Sequence, residues 1–317
     1  MPADDLMLDE EVQRLFADTS LEIYPALAPV SEWPIMAWCR ALQDDNPVYR
    51  DAEAGHRLGH GGRIAPPIMM HSFTMPGVFS VQTDGLLAQL RRALAKHGLN
   101  SVLAANYEQE FVTPIRLGDR LTRTMRLASI GDEKVTGAGI GRFVVMQEAI
   151  TNDRGETIGH QSLRIFFFRP TKPDERPAGQ KPQQATAAEG KVEDRIILPP
   201  VSIPLSTTLI VAAALASNDY EAIHHDREAA QAQGLRDVIM NVLASTGLAM
   251  RYVTDWAGPI AKVRRIATRL KAPNYPGDTM ILSGSADSPY RAGRPLDVHV
   301  RGSNSLGTHI DSIVTVE

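Results

Sequence analysis

Three landmarks occur twice in this chain, in the same order. They pair Asp44 with Asp219, Tyr49 with His224, Asp51 with Asp226 and Gly59 with Gly234; then Pro114 with Pro273, Gly118 with Gly277 and Asp119 with Asp278; and finally Asn152 with Asn304 and Gly155 with Gly307. Such self-similarity indicates two copies of one structural unit. The residue offset falls from 175 (219 minus 44) to 159 (273 minus 114), so the first copy carries about 16 additional residues, which we place around residues 84–100.

A change in composition separates the two copies. Residues 170–195 are rich in Pro, Gln, Ala and charged residues and contain few large apolar residues, which is typical of a solvated linker. The sequence therefore predicts an N-terminal domain over residues 1–169 and a C-terminal domain over residues 196–317. Each is long enough to bury a core of its own.

The order of predicted elements is the same in both copies. A helical stretch precedes the Asp of the first landmark, a short irregular segment follows it, and a second helix comes next, from Pro67 to Met75 onward and from Val238 to Tyr252. Apolar alternation in RLTRTMRLASI and TMILSGSA then predicts strands with one buried face. Helices followed by consecutive antiparallel strands predict an α+β architecture in which a sheet wraps against a helix. The glycines of residues 59–63 lack phosphate-loop spacing and are interpreted as a turn.

Composition excludes several classes of function. The net charge is -4 and no long Lys/Arg block occurs, which argues against a nucleic-acid partner. No apolar run approaches ~20 residues, so no membrane span is expected. The single cysteine, Cys39, allows neither an intrachain disulfide nor a cysteine-based zinc site, and the histidine spacings fit no metal pattern. With an acidic N-terminal segment where a signal peptide would be basic, these features predict a cytoplasmic protein without a bound metal.

The segment SNDYEAIHHD, residues 217–226, contains the pair with the most chemical potential. Asp219 and His224 lie five positions apart in a stretch that Ser-Asn-Asp makes irregular. A turn that brings a carboxylate and an imidazole together can hold one water molecule between them, which suits the addition of water to an activated double bond. The alternative is that Asp219 caps a helix and His224 is a half-buried polar residue. Spacing alone leaves both interpretations open.

With its neighbours, this segment resembles the hydratase motif of the MaoC-like family of hot-dog enoyl-CoA hydratases. The motif reads roughly Gly-Asp-x-Asn-Pro-x-His, with a further Asp two residues on. The first copy matches its scaffold at Asp44, Asn46, Pro47 and Asp51 but has Tyr49 in place of the catalytic histidine. The second copy keeps Asp219 and His224 but has Glu221-Ala222 in place of Asn-Pro. A phenol with a pKa of roughly 10 cannot replace an imidazole near neutral pH. The resemblance therefore implies a tandem, or double, hot-dog fold with a non-catalytic first half and a catalytic second half.

Within that family, the segments HHDREAAQAQGLRDVIMN and RYVTDWAGP resemble the catalytic subunit of bacterial steroid side-chain enoyl-CoA hydratases, and DNPVYRDAEAGHRLGHGGRIAPP resembles their larger subunit. One chain would then combine what two subunits do there. The resemblance places the oxyanion hole at the start of the second-half central helix, on the backbone N–H of Val242. The larger subunit of those enzymes docks an aldolase through a domain with zinc-binding cysteines. The sequence shows no such domain, which puts an aldolase partner in doubt.

The resemblance predicts an enzyme that adds water to a 2-enoyl-CoA thioester, with a bulky steroid side-chain acyl group, and that needs no cofactor beyond the coenzyme A of its substrate. A hot-dog thioesterase and a non-catalytic CoA-thioester-binding scaffold are the alternatives. Arg264, Arg265 and Lys271 form a basic stretch that either contacts CoA phosphates or lies on a solvated strand face. We expect a homodimer. Which of Asp219 and His224 takes the proton stays open at this point.

Overall fold

The computed structural model describes residues 3–17, 21–77, 85–170 and 195–317. The elements of the first half are α1 (Ala3–Ala17), β1 (Glu22–Pro25), α2 (Glu32–Leu42), α3 (Pro47–Arg50), α4 (Ala52–Arg57), α5 (Met69–Ser72), α6 (Leu86–Ala95), β2 (Ser101–Phe111), β3 (Leu121–Ile130), β4 (Lys134–Val135), β5 (Gly139–Asn152) and β6 (Thr157–Pro170). Those of the second half are β7 (Ile196–Pro204), α7 (Thr207–Ala216), a 3-10 turn (Ala222–His224), α8 (Arg227–Ala232), α9 (Val242–Ala257), β8 (Val263–Leu270), β9 (Thr279–Ala286), β10 (Leu296–Asn304) and β11 (Gly307–Val316).

The strands form one antiparallel sheet made of two units with the same internal order. The path runs β1-β3-β5-β6-β2 through the first half and continues as β8-β11-β10-β9-β7 through the second, with β4 attached to β5. The strands of each half, without β4, can be numbered along the chain and read from the outer edge of the sheet to its middle. Both units then have the order first, third, fourth, fifth, second. The seam is an antiparallel pairing of β2 with β8, in which Asn106 faces Arg269 and Glu110 faces Arg265. The predicted α+β double hot-dog architecture is confirmed.

The repeated glycines occupy equivalent turns in the two halves. Gly118 and Gly277 both adopt the left-handed region, with φ of 89° and 84°. Their N–H groups donate to the carbonyl oxygens of Val30 and Leu205, at 2.8 and 2.7 Å. A left-handed residue with an engaged N–H explains why both copies keep glycine at this place.

The helices of both halves pack together on one face of the sheet. Gly247 in α9 lies so close to Trp38 in α2 that a Cβ added at Gly247 would be 2.6 Å from the indole ring. Trp38 is only 1% exposed. Because protein interiors are close-packed, this contact locks α2 of the first half against the central helix of the second.

The central helix differs between the halves, and here two sequence predictions are wrong. In the second half the helix begins at Val242 instead of Val238 and ends at Ala257, because the backbone before it is extended and bonded to neighbouring loops. In the first half the predicted helix from Pro67 onward is reduced to α5, four residues long. Helix α6 falls within the segment to which the additional residues were assigned and packs on the first-half sheet through Leu86, Leu90 and Leu94.

The predicted linker, residues 170–195, lies outside the described residues except for its two end residues, and Asp84 at the start of the predicted insertion lies outside them as well. In the parts of the chain that the structure describes, no helix combines the length and the apolar character needed to cross a membrane.

Candidate active site

Asp219 and His224 lie together in a tight turn that follows α7. The chain leaves the helix through Asn218, a non-glycine residue with a φ of 55°, and Asp219 N–H then donates to the carbonyl oxygen of Ala214 at 3.0 Å. The 3-10 turn that follows ends at His224. Its Nε2 atom lies 3.5 Å from Oδ2 of Asp219, and both side chains are about nine-tenths buried.

One hydrogen bond determines which imidazole nitrogen of His224 is free. Nδ1 lies 2.8 Å from the backbone carbonyl oxygen of Ile239. A carbonyl oxygen only accepts, so Nδ1 carries the hydrogen and the Nε2 atom of the neutral ring keeps its lone pair. The nitrogen beside Asp219 is therefore the one able to take a proton from water.

The Asp219 carboxylate is held by hydrogen-bond donors on both oxygens. Oδ2 accepts from the side-chain amide of Asn241 at 3.0 Å, and Oδ1 accepts from the backbone N–H of Glu221 at 3.3 Å. The same Asn241 amide also donates to the hydroxyl of Ser217 at 2.8 Å. Donors of this kind fix the orientation of the carboxylate.

Asn241 also begins the central helix of the second half. Its Oδ1 accepts from the N–H of Ala244 at 2.9 Å, as an N-cap side chain does. The N–H groups of Val242 and Leu243 have no hydrogen-bond partner among the described residues, as expected in the first turn of a helix. They lie at the positive end of the helix dipole, directly after the residue that holds Asp219, and can receive a negatively charged oxygen.

A buried histidine on the sheet is hydrogen-bonded to the first turn of this helix. His309 on β11 donates from Nδ1 to the carbonyl oxygen of Ala272 at 2.6 Å, and its Nε2 lies 2.8 Å from the hydroxyl of Ser245. That hydroxyl also lies 3.0 Å from the carbonyl oxygen of Asn241. Burial lowers the pKa of His309 from 6.5 to about 4, so the ring is neutral near pH 7. The sequence analysis missed this residue, since a lone histidine in a strand carries no signal.

The first half repeats the backbone of this site almost bond for bond. In the first half, the N–H groups of Asp44, Ile64 and Ala65 each donate to a backbone carbonyl oxygen, at 2.8, 3.2 and 2.9 Å. In the second half, the N–H groups of Asp219, Ile239 and Met240 donate to the equivalent carbonyl oxygens, at 3.0, 3.0 and 3.1 Å. Gln43 and Asn218, the residues just before the two Asp residues, are the non-glycine residues with positive φ in the described chain. The two turns therefore correspond residue by residue.

This equivalence shows which groups of the second-half site the first half lacks. Tyr49 stands where His224 stands, and burial raises its pKa well above 10. Ala65 corresponds to Met240, so the next two residues, Pro66 and Pro67, correspond to Asn241 and Val242. Proline has no N–H, so the first half lacks the imidazole, the amide that holds the acid and the helix-start N–H. Burial also raises the pKa of the remaining acid, Asp44.

The first half nevertheless borders the second-half site. The side chain of Asn218 donates to the carbonyl oxygen of Ser72, at the end of α5, at 3.1 Å. Tyr107, a buried residue of β2, is near enough for the Asp219 charge to contribute to raising its pKa, although burial is the larger cause. Residues of both halves thus lie next to the Asp219 and His224 pair.

The basic residues predicted to meet CoA phosphates are paired with carboxylates of the chain itself. Arg264 contacts Glu317 at 2.6 Å, and Arg265 contacts Glu108 across the seam at 3.2 Å. Lys271 contacts Asp311. All three lie on β8 or just after it, and phosphate binding there would require exchanging these partners, so their role stays a prediction.

Asn241 is the other residue of the site that sequence reasoning did not assign correctly. An Asn before an apolar helix is a recognisable N-cap, and this signal could have identified it. Its second function, holding Asp219, depends on a contact between residues 22 positions apart. Among the described residues, no group of three or more potential metal ligands is found.

Two hot-dog units that keep one complete acid–imidazole pair define a double hot-dog protein of the dehydratase type. A family model described as "FAS1-like, dehydratase domain region" matches residues 18–161, and one described as "MaoC like domain" matches residues 189–290. The solved structure of a MaoC-like dehydratase superposes with a TM-score of 0.68 at 23% identity, covering 93% of this chain and 97% of that one.

Two curated relatives come from Mycobacterium tuberculosis. The 3-oxo-4,17-pregnadiene-20-carboxyl-CoA hydratase beta subunit is 42% identical over 118 residues, which are 37% of this chain and 90% of that subunit. The alpha subunit of the same name is 31% identical over 149 residues, which are 46% of this chain and 48% of that subunit. The chain thus spans nearly all of the beta subunit and about half of the alpha subunit. The chain belongs to the MaoC-like dehydratase family.

Proposed function

We propose that this protein is an enoyl-CoA hydratase, which adds water to a 2-enoyl-CoA thioester and forms a 3-hydroxyacyl-CoA. The observation that carries the proposal is the buried pair formed by Asp219 and His224, with the lone pair of His224 Nε2 directed to the side of the acid. Curated relatives that are named as hydratase subunits support the same reaction. No metal or redox cofactor takes part in the proposed chemistry.

In this mechanism one water molecule binds between the Asp219 carboxylate and His224. Nε2 of His224 accepts one proton while the water oxygen bonds to the β-carbon of the enoyl group. The carboxylate 3.5 Å away stabilises the imidazolium that forms. A proton then returns from the pair to the α-carbon, so that the double bond has gained one OH and one H. Acid–base catalysis of this type commonly contributes ~10²- to 10⁴-fold.

The start of α9 would stabilise the charge that develops on the thioester oxygen. When hydroxide adds to the β-carbon, negative charge moves onto that oxygen as an enolate. The free N–H of Val242, reinforced by the helix dipole, is placed to donate to it. Fixed backbone donors of this kind typically contribute ~10²- to 10³-fold.

We further propose that the acyl group is bulky, with a fused-ring steroid skeleton. The two M. tuberculosis relatives are named for a pregnadiene-carboxyl-CoA substrate. In this chain the central helix of the first half has four residues, against sixteen in the second. At 1.5 Å per residue, the first-half helix is shorter by ~18 Å, and we propose that a rigid acyl group lies where the second half has the additional turns.

The first experiment offers the purified protein crotonyl-CoA and a fused-ring 2-enoyl-CoA. Loss of the conjugated enone absorbance is followed together with free thiol. Hydration predicts loss of absorbance without thiol. Release of thiol would instead indicate a thioesterase, and binding without either change would indicate a non-catalytic scaffold.

The second experiment tests the acyl group. Burying a ring system contributes ~25 cal/mol per Å² of apolar surface, so the bulky thioester should have the higher kcat/KM. If kcat/KM for the fused-ring substrate were well below that for crotonyl-CoA, the protein would be a short-chain hydratase.

A further inference from the structure

The inner face of the first-half sheet carries a row of buried polar residues. Arg123 on β3, Glu148 on β5 and Gln161 on β6 are each at least 94% buried. Nη1 of Arg123 donates to the Glu148 carboxylate at 2.9 Å, and the side chain of Gln161 contacts the same carboxylate. His71 of α5 lies 3.4 Å from it. We call Arg123, Glu148 and Gln161 the polar row.

The second half shows what a hot-dog sheet has at these positions when its helix is complete. Strand pairing places Arg123 opposite Ile150 and Glu148 opposite Met125, and it places Leu282 opposite Gly302 and Val300 opposite Gly284. Counting from the repeated turn glycines, Leu282 corresponds to Arg123 and Val300 to Glu148. Since Glu148 pairs with Gln161 and Val300 pairs with Ser312 on the neighbouring strands, Ser312 is the equivalent of Gln161. Apolar Leu282 and Val300 belong to the continuous core around α9.

In the first half this core is split at the polar row. On one side, Leu121 and Ile150 belong to the cluster around α5. On the other side, Met125 and Met146 belong to the separate cluster around α6. The polar row therefore lies between the end of one helix and the packing surface of another, where the second half has unbroken apolar packing.

Stability alone does not account for an ion pair at this place. Replacing a buried ion pair by apolar residues of similar volume is often neutral or stabilising, and Leu282 with Val300 is the apolar solution in the same fold. Burial raises the pKa of Glu148, but Arg123 and His71 outweigh it and hold that pKa at about 2, so this buried carboxyl is charged. Charges kept in a core against this cost point to a ligand.

Three polar atoms around the polar row have no hydrogen-bond partner within the described chain. They are Nε of Arg123, Oε1 of Gln109 and Oγ of Ser72, and all three residues are at least 94% buried. Leaving a buried polar atom without a hydrogen-bond partner is costly, so each is an exception that a ligand atom would remove. Nε–H of Arg123 is a donor only and requires an acceptor oxygen.

The polar row is connected to the catalytic pair. Gln161 accepts a hydrogen bond from the hydroxyl of Tyr107 at 3.0 Å, and Tyr107 is the residue near Asp219. Ser72, with its free hydroxyl, is bonded through its carbonyl oxygen to Asn218, next to Asp219. A rigid acyl group that starts at the catalytic pair and passes Ser72 and Tyr107 would therefore reach the polar row at its far end.

We propose that the polar row is a subsite for a ketone oxygen on the ring system of the acyl group, remote from the thioester, with Nε–H of Arg123 as its donor. This inference rests on the proposed hydratase function and adds the feature of the substrate that the first half recognises. It gives the first half a role in specificity although it lacks the catalytic groups.

The test compares two 2-enoyl-CoA thioesters with the same fused-ring skeleton, one with a remote ring ketone and one with a methylene in its place. Hydrogen bonds to charged groups are among the stronger ones, so the wild-type protein should favour the ketone in kcat/KM by roughly 10- to 100-fold. In the double variant Arg123→Leu with Glu148→Val, which copies the second half, this ratio should fall to near one. Arg123→Lys keeps the charge but removes the Nε–H, and should also lower the ratio.

A matched control lies on the same two strands. Arg126 faces Gln147 in the pairing of β3 with β5, their side chains are in contact, and the pair is exposed. Arg126→Leu with Gln147→Val should leave the ketone-to-methylene ratio at its wild-type value. Thermal unfolding of each variant verifies that it is folded.

The possible failures are distinguishable. A wild-type ratio near one, or a ratio that both Arg123 variants leave unchanged, would show that the polar row is structural while hydration itself stands. The wild-type measurement decides this even where the double variant does not fold. Absence of hydration with both ring thioesters and with crotonyl-CoA would remove the hydratase proposal and, with it, the subsite.

Discussion

The two halves share the backbone of one turn and of the sheet and differ in which side chains it carries. The turn after α7 in the second half carries Asp219 and His224. The turn after α2 in the first half carries Asp44 and Tyr49 on the same framework of hydrogen bonds. On the sheet the contrast is reversed, because the second half is apolar where the first half has Arg123 and Glu148. Under the proposed function, the two copies of the fold divide catalysis and substrate recognition between them.

The largest expected effect tests the catalytic side of this contrast. Asp219→Asn and His224→Ala should each lower kcat for hydration by ~10²- to 10⁴-fold, because each removes one partner of the water. Asp44→Asn should change kcat less than twofold, since its neighbour is a neutral phenol. Steady-state kinetics with crotonyl-CoA measures all three. Equal damage from Asp44→Asn would mean that the first half takes part in the chemistry.

A second difference between the halves is the residue on the sheet that is bonded to the first turn of α9. It should appear as a pH dependence of stability. At the strand position of His309, the first half has Ile158. Burial lowers the pKa of His309 from 6.5 to about 4. The unfolded chain therefore binds a proton between pH 6.5 and 4 that the folded protein does not. Stability should fall as the pH is lowered through this range, by roughly 3 kcal/mol at most.

Urea unfolding at pH 7 and pH 4.5 measures this loss. His309→Ile, which copies the first half, should make the difference between the two pH values smaller. An unchanged pH dependence in this variant would show that His309 is not the group responsible, whatever the variant's overall stability.

The residue that holds the acid should have a smaller effect than the acid itself. Asn241→Ala removes the hydrogen bond to Asp219 and the cap of α9, so kcat should fall by roughly 10- to 100-fold, and stability by about 1 kcal/mol. KM should change little, because the amide is bonded to the acid. Pro66→Ala, at the equivalent place in the first half, should leave kcat unchanged. A rise in KM with constant kcat would instead place Asn241 in substrate binding.

The comparison between copies also explains what could be predicted from sequence. The repeat, the α+β double hot-dog fold and the pairing of Asp219 with His224 follow from spacing and family pattern, which are local signals. The length of α5, the amide of Asn241 and the support from His309 depend on contacts between distant residues. The polar row was missed because its residues alternate along their strands like ordinary surface positions, and their burial becomes visible only in the folded chain.

The smallest expected effect is also the strictest test of why we expect the first half to be inactive. If the loss of histidine were the whole reason, Tyr49→His in an Asp219→Asn background would restore a second site next to Asp44. The backbone argues against this outcome, because the positions of Asn241 and Val242 are occupied by Pro66 and Pro67, which offer neither a side-chain amide nor an N–H. We expect no measurable gain in kcat from Tyr49→His, and a gain only when Pro66→Asn and Pro67→Val are added. Because the first-half helix starts at Met69 and is one turn long, even that triple change should recover only a small part of the activity. Restoration by Tyr49→His alone would show that the imidazole suffices and that the helix-start donor is dispensable in both halves.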